Sequence, residues 1–208
     1  MADERQPGAG AMSGAVPGAV AMSGAVPGAV APTEPAADKH KHMIDPYATH
    51  IYPLVVCAAN TAGPIFEHGC GHYSTPILRA VAPLREIYCL ENDQTYRESL
   101  DWLPGITWVD RVPDMRFGFA FVDGAPAETR VTVCNKVDAS IILLHDVEKP
   151  KYYRLINLRP FRYQFVFKIY TKWTMAMSDT IDVQALLQSH ISDIDQQEIP
   201  LKPLPLPV

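Results

Sequence analysis

The sequence predicts an α/β fold: a mostly parallel central sheet of about seven strands, helices on both faces, and a reversed hairpin at the C-terminal end. Two observations carry this. From Asp45 onward, short apolar runs alternate with amphipathic ones, the pattern of strands joined by crossover helices. The last two runs, RYQFVFKIY and KWTMAMSD, are separated by only about two residues. They must pair antiparallel, because a parallel return needs a dozen residues or more.

The elements follow in order. DPYATHIYPLVVCAANTA reads as a helix, with Pro53 kinking or breaking it. PIFEHGCG is a short apolar strand ending in glycines. STPILRAVAPL is a helix capped by Ser74, with Pro76 in its first turn and Ile77, Leu78 and Val81 on one face. REIYCLEND is a strand ending in acids, and TYRESLDWL a helix that opens beside the cap Asp93. GITWVD and RFGFAFVDG are strands with no room for a helix between them, so this link runs nearly extended, or GITWVD is short or absent. PAETRVTVCNKV is a helix, ASIILLHDVE a buried strand, and KPKYYRLINL a helix leading into the final hairpin.

Three segments are expected along the 208 residues: a disordered arm at 1–42, one domain at 43–198, and a proline-rich tail at 199–208. In the arm, AMSGAVPGAV at 11–20 recurs unchanged at 21–30. So little large apolar surface cannot offset the entropy of ordering. MADERQP has no basic leader, and Pro17 and Pro27 interrupt the apolar text, which speaks against a secretory signal. No run reaches the roughly 20 apolar residues of a membrane span. His40 and His42, in DKHKH, read as a solvated hinge.

The net charge of −5 includes −1 from the arm, leaving −4 on residues 43–208. Overall charge therefore does not attach this domain to nucleic acid. Cys57, Cys70, Cys89 and Cys134 are widely spaced with no CxxC pair, and three lie in apolar runs. They read as small buried hydrophobes in a reducing, cytoplasmic setting, not as a zinc site.

The chemistry concentrates at strand ends. FEHGCGHYST places Gly69 and Gly71 between the first strand and its helix, where backbone can approach a ligand. Glu91 in CLEND follows about 20 residues later, where an acid can grip ribose hydroxyls. A dinucleotide fingerprint would have a third glycine, and Ser74 stands there. Glu67 ahead of the turn would repel a pyrophosphate and suits a cationic nucleoside ligand. Asp123 and Asp146 end two neighbouring strands and converge above the sheet edge. With His145 they are the candidates for a general base.

FEHGCGHYST, CLEND, FAFVDG and LLHDVE, in that order, resemble the successive motifs of class I S-adenosylmethionine-dependent methyltransferases. The closest likeness is to members with an E-x-G-x-G-x-x-S-T turn, a VDG strand and an HD strand end; it covers nearly all of residues 45–183. The resemblance implies a Rossmann-like methyltransferase fold whose seventh strand is the reversed one. It implies S-adenosyl-L-methionine as cofactor, with Glu67, Gly69, Gly71 and Ser74 shaping its pocket, Glu91 on the ribose, Asn92 and Asp110 bordering the adenine, and Asp123 touching cofactor or acceptor. Members that methylate catechol-like hydroxyls hold a divalent cation between two acids and a following Asn. Here Val147 follows Asp146; Glu148 could substitute for the Asn, but a divalent metal is the disfavoured alternative and no metal ligand is assigned. VDGAP replaces the N/D-P-P-Y/W signature of base- and amide-nitrogen methylation.

The leading expectation is O-methylation of a small-molecule or glycan acceptor, with Asp146, His145 and Asp123 as the catalytic group. The alternatives are an inactive cofactor-binding module of a larger assembly, a nucleotide-sugar or dinucleotide enzyme, and an RNA or single-stranded DNA methyltransferase. The last would use residues 149–172, which hold seven Lys or Arg and seven aromatics with no acid. The blander reading, aromatic core with a solvated cationic face, is preferred. Self-association is left open.

Overall fold

In the computed structural model, the described residues are 48–168 and 172–190. The chain divides into two units, Met1–Lys41 and His42–Val208, and all described residues belong to the second. The expected arm and tail lie outside them.

Seven strands form one sheet in the order β3-β2-β1-β4-β5-β7-β6. They are β1 (Ile65–His68), β2 (Ile87–Leu90), β3 (Ile106–Val109), β4 (Arg116–Val122), β5 (Asp138–His145), β6 (Tyr163–Phe167) and β7 (Thr174–Ser178). β3, β2, β1, β4 and β5 run parallel, while β7 lies antiparallel between β5 and β6. This is the mostly parallel sheet with a reversed final hairpin that the spacing predicts.

Among the described residues there are five α-helices: α1 (Ile51–Ala59), α2 (Ser74–Val81), α3 (Gln94–Ser99), α4 (Thr129–Lys136) and α5 (Val183–Ser189). The two sheet faces carry separate cores. Phe119, Phe121, Ile141 and Leu143 pack with Leu54 and Cys57 of α1, Leu78 of α2 and Leu187 of α5. Ala120, Val122, Ile142 and Leu144 alternate to the other face and meet Val133 and Cys134 of α4, Met175 and Met177. Two-sided burial explains why these strands read as unbroken apolar runs.

Several local expectations change. Helix α1 starts at Ile51, so Pro53 sits in its first turn, where a missing N–H costs nothing, and neither kinks nor breaks it. Ser74 does not cap α2: Tyr73 holds the cap position, and the Gly71 amide donates to Thr75 Oγ1. Asp93 does cap α3, accepting from the Thr95 amide. β3 exists and pairs with β2, and the link to β4 contains no helix. KPKYYRLINL is not a helix but a series of turns closed by one 3-10 turn at Leu155–Asn157, with Arg154 at φ +53°. α5, capped by Asp182, has no counterpart in the expected elements. All four cysteines are free and buried. Among the described residues, no helix is long and apolar enough to cross a membrane.

Candidate functional site

The chain reverses its winding between β1 and β4, neighbours in the sheet whose crossovers lead to opposite sides. Ligands of open α/β sheets bind at such a point, outside the carboxyl ends of the strands. Two loops meet there: the glycine turn after β1 and the VDG end of β4.

The two glycines of the first turn differ in purpose. Gly69 has φ +85°, and a Cβ there would lie 2.4 Å from Gly124 Cα. It is glycine because two backbones cross. Gly71 has no such constraint: a Cβ there would meet nothing within 4 Å, and its φ lies outside the positive region. Nothing in the fold requires Gly71, and the space before it is open to a ligand. Gly124 is itself closed off, since a Cβ would strike the His68 ring at 2.5 Å. The close Gly69–Gly124 approach is therefore built from both motifs at once.

Glu91 is fixed in position by backbone. Its Oε2 accepts from the Cys70 amide at 3.0 Å and its Oε1 from the Asp93 amide at 2.8 Å. Each oxygen keeps a second lone pair, so the carboxylate is aimed without being used up. Asn92 is exposed. Asp110, at the end of β3, is also exposed and pairs with Arg97 at 3.2 Å, whose Nε donates to the Glu91 carbonyl. Arg97 thus ties Glu91 to Asp110 at the carboxyl ends of β2 and β3, with the exposed Asn92 next to Glu91 in the chain.

Glu67 is fully buried beneath the turn. Burial pushes its carboxyl up to about 7, against the contrary pull of Ser74, Thr75, Cys89 and Cys70. The Cys89 thiol reaches Glu67 Oε2 at 3.6 Å. Ser74 thus serves Glu67, not the helix end. His68 is likewise buried, which lowers it to about 4.

The ends of β4 and β5 carry a different kind of site. Arg130, from the first turn of α4, joins both. Its Nε donates to the Gly124 carbonyl at 2.9 Å and its Nη1 to the His145 carbonyl at 3.1 Å. The same guanidinium pairs with Asp146 Oδ2 at 3.1 Å and Asp123 Oδ1 at 3.0 Å. Lys172 adds ion pairs to Asp146 Oδ1 at 3.0 Å and Glu148 Oε1 at 3.2 Å. His145 Nδ1 faces Asp123 Oδ2 at 3.1 Å, and its Nε2 meets Thr49 Oγ1 at 3.0 Å. His50 closes the group, with its ring centroid 4.8 Å from that of His145.

This arrangement sorts the expected catalytic residues. Asp123, His145 and Asp146 do come together. Burial alone would raise the Asp146 carboxyl, but His145, Lys172 and Arg130 outweigh it and hold Asp146 below its ordinary value. Lys172 is pushed up to about 12: burial works against its charge, yet Asp146 and Glu148 prevail. His50 is lowered to about 4, first by burial and then by His145.

Arg130, His50, Thr49 and Lys172 are absent from the expected site. Arg130 lies in a stretch that reads as ordinary surface helix, and only its burial gives it away. Thr49 and His50 sit before α1, far from every strand-end motif. Of the aromatics in 149–172, Tyr153, Phe161, Phe165 and Phe167 are buried in the core. Tyr163 is half-buried, Tyr170 lies outside the described residues, and among the described residues Tyr152 is the exposed ring of the stretch, beside the exposed Lys149, Lys151 and Arg154.

No protein-family model matches the sequence, and a comparison with curated proteins found no match. Solved structures do resemble it. A Klebsiella pneumoniae protein provisionally named an O-methyltransferase shares 16% identity over 67% of this chain and 83% of that one, with TM-score 0.48. The T. thermophilus 16S rRNA N2 G1207 methyltransferase, bound to AdoMet and guanosine, shares 12% over 67% and 44%, with TM-score 0.47. A Staphylococcus aureus protein provisionally named a caffeoyl-CoA O-methyltransferase shares 11% over 65% and 85%, with TM-score 0.46. Likeness at this identity is a likeness of fold. The fold itself, by its strand order and reversed seventh strand, is the Rossmann-like fold of class I methyltransferases.

Proposed function

We propose that this chain is an S-adenosylmethionine-dependent methyltransferase acting on a hydroxyl of a small-molecule or glycan acceptor. The observation that carries this is Gly71. It is a glycine with no backbone reason to be one, facing open space at the winding reversal of the sheet, a few residues from a preset Glu91.

The residues present fit the cofactor. Glu91 would take the ribose hydroxyls, Asn92 and Asp110 the adenine border, and the amides around Gly71 the remainder. When bound, the cofactor supplies an electrophilic methyl group on a sulfonium. The chain's own part is to align the acceptor and accept its proton as charge leaves the oxygen.

Asp146 is a weak choice for that base, because Arg130 and Lys172 take one oxygen each, whereas Asp123 gives only Oδ1 to Arg130. The duty falls to Asp123 and His145. Asp123 is the more open of the two, with 25% of its side chain exposed against 5%. It meets the acceptor hydroxyl and shares the proton with His145 Nδ1 behind it, while His145 Nε2–H donates to Thr49. Arg130 and Asp146 keep the pair in register.

Calorimetry of the full chain with S-adenosylhomocysteine tests the cofactor half. Binding is expected, and Glu91→Ala should weaken it by the roughly 1.5–3 kcal/mol of a charge-assisted bond, about 10–150-fold. Unchanged affinity would remove Glu91 from the ribose, and no binding by the wild type would end the methyltransferase reading. For the acceptor half, Asp123→Asn should lose roughly 10²–10⁴-fold in turnover while retaining S-adenosylhomocysteine, and Asp146→Asn should lose less. The reverse ranking would return the base to Asp146.

A further inference from the structure

Thr49, His50, Asp123 and His145 form a group that the proton-sharing role does not explain in full. His50 is only 4% exposed, yet neither of its ring nitrogens has a hydrogen-bond partner. A buried imidazole rarely goes unbonded on both sides. One nitrogen of His50, Asp123 and His145 Nδ1 offer ligand atoms that all lie within 4.8 Å of one another. Across the 3.1 Å between His145 Nδ1 and Asp123 Oδ2, two lone pairs cannot face each other without a proton or a cation between them.

We propose that His50, Asp123 and His145 bind a divalent cation of the zinc class, with a fourth position left for water or the acceptor oxygen. Donor chemistry selects the metal: two imidazoles and one carboxylate suit a borderline cation and not a hard one. An oxygen-only site for magnesium or calcium would need Asp146, and both its oxygens are taken by Arg130 and Lys172. Distances agree. Tetrahedral ligands about 2.0–2.2 Å from zinc stand roughly 3.3–3.5 Å apart, close to the 3.1 Å between His145 and Asp123, and the His50 nitrogen lies within 4.8 Å of both. Thr49, 3.0 Å from His145 Nε2, accepts that N–H and turns Nδ1 toward the ion, the usual outer-shell arrangement. Charge also permits it. With Asp123, Asp146 and Glu148 against Arg130 and Lys172, the group carries one uncompensated negative charge before the ion enters.

This site stands on ligand geometry and does not depend on the methyltransferase reading. The two meet at His145 Nδ1, which holds either a shared proton or the ion.

The test is zinc titration by calorimetry on the full chain after chelator treatment, with cobalt absorption as a second readout; neither needs an acceptor or turnover. To remove the arm's histidines, the background carries His40→Ala and His42→Ala. One equivalent of zinc is expected, with cobalt bands of a four-coordinate site. His50→Ala should abolish the bands and weaken zinc at least 100-fold, while Thr49→Val should weaken it about 10–100-fold. Should His50→Ala fail to fold, Thr49→Val carries the test, since it removes only the hydroxyl. His68→Gln should bind as the parent does. The proposal is overturned by three outcomes: no zinc uptake, affinity unmoved in His50→Ala and Thr49→Val, or loss of binding in Cys89→Ser. The last would place the ion at Glu67, Cys70 and Cys89, which also lie within 4.8 Å of one another.

Discussion

The two halves of the sheet's carboxyl edge solve the same problem in opposite ways. Beside β1 and β2, the site is built from backbone: a glycine turn, amides fixing Glu91, and one acid, Glu67, sealed among thiols and hydroxyls. Beside β4 and β5, it is built from side chains: three carboxylates, two cations and one histidine joined by ion pairs, with His50 packed against the His145 ring. A backbone site keeps its shape when one side chain changes. A side-chain network holds only while every charge has its partner.

Arg130 is the sharpest place to break the second half, and the largest effect is expected there. Arg130→Met leaves Asp123 and Asp146 facing each other without their shared counter-ion. Loss of one member of a buried pair costs about 3–5 kcal/mol, readable as a fall in denaturation midpoint at unchanged slope. Arg130→Lys should recover little, because one ammonium cannot reach two carbonyls and two carboxylates. Full stability in Arg130→Lys would mean that charge alone matters there.

Glu67 tests the first half through pH. Its folded pKa of about 7 lies above the ordinary 4.5, so its contribution is fully present below pH 4.5. That contribution is lost as pH rises toward 7, by about 1.4 kcal/mol per unit or roughly 3 kcal/mol in all. Stability of wild type relative to Glu67→Gln should therefore decline across pH 4.5–7. A flat difference would mean that Glu67 stays ionised when buried.

The glycines sharpen the comparison within the turn itself. Gly69→Ala should cost about 1–3 kcal/mol from the clash with Gly124. Gly71→Ala should cost less than about 1 kcal/mol, yet weaken S-adenosylhomocysteine about tenfold or more. Equal thermal shifts in the two variants would erase the distinction between a structural and a ligand-facing glycine.

The smallest effect is expected at the other end of the chain. Deleting residues 1–42, motivated by the exact decapeptide repeat, should move the melting temperature by less than about 2 °C. A larger shift would show that the arm packs on the domain.

Local order explains what could be read in advance. The strands were legible because two-sided burial writes itself as unbroken apolar text, and the hairpin because a two-residue link leaves no other geometry. Gly69, Gly71 and Glu91 were legible because a turn and a strand end fix position within a few residues. KPKYYRLINL misled because Tyr152, Leu155 and Ile156 stand at helical i, i+3, i+4 spacing, yet the chain turns to bury Tyr153 and leaves Tyr152 and Ile156 exposed, between the bounding Pro150 and Pro160. Ser74 was read as a cap that Tyr73, one residue earlier, holds, and Pro53 as a kink or break in a helix that starts only at Ile51.

By itself, then, the sequence determined the sheet, its order class and the glycine turn of the candidate site, since those depend on periodicity and spacing along one stretch of chain. Only the tertiary structure decided that Arg130, His50, Thr49 and Lys172 join Asp123, His145 and Asp146. Those residues come from α4, from the segment before α1 and from the approach to β7. Their meeting is a long-range juxtaposition that no local pattern encodes, because each looks like an ordinary surface residue until burial strips away its water and leaves the others as its only partners.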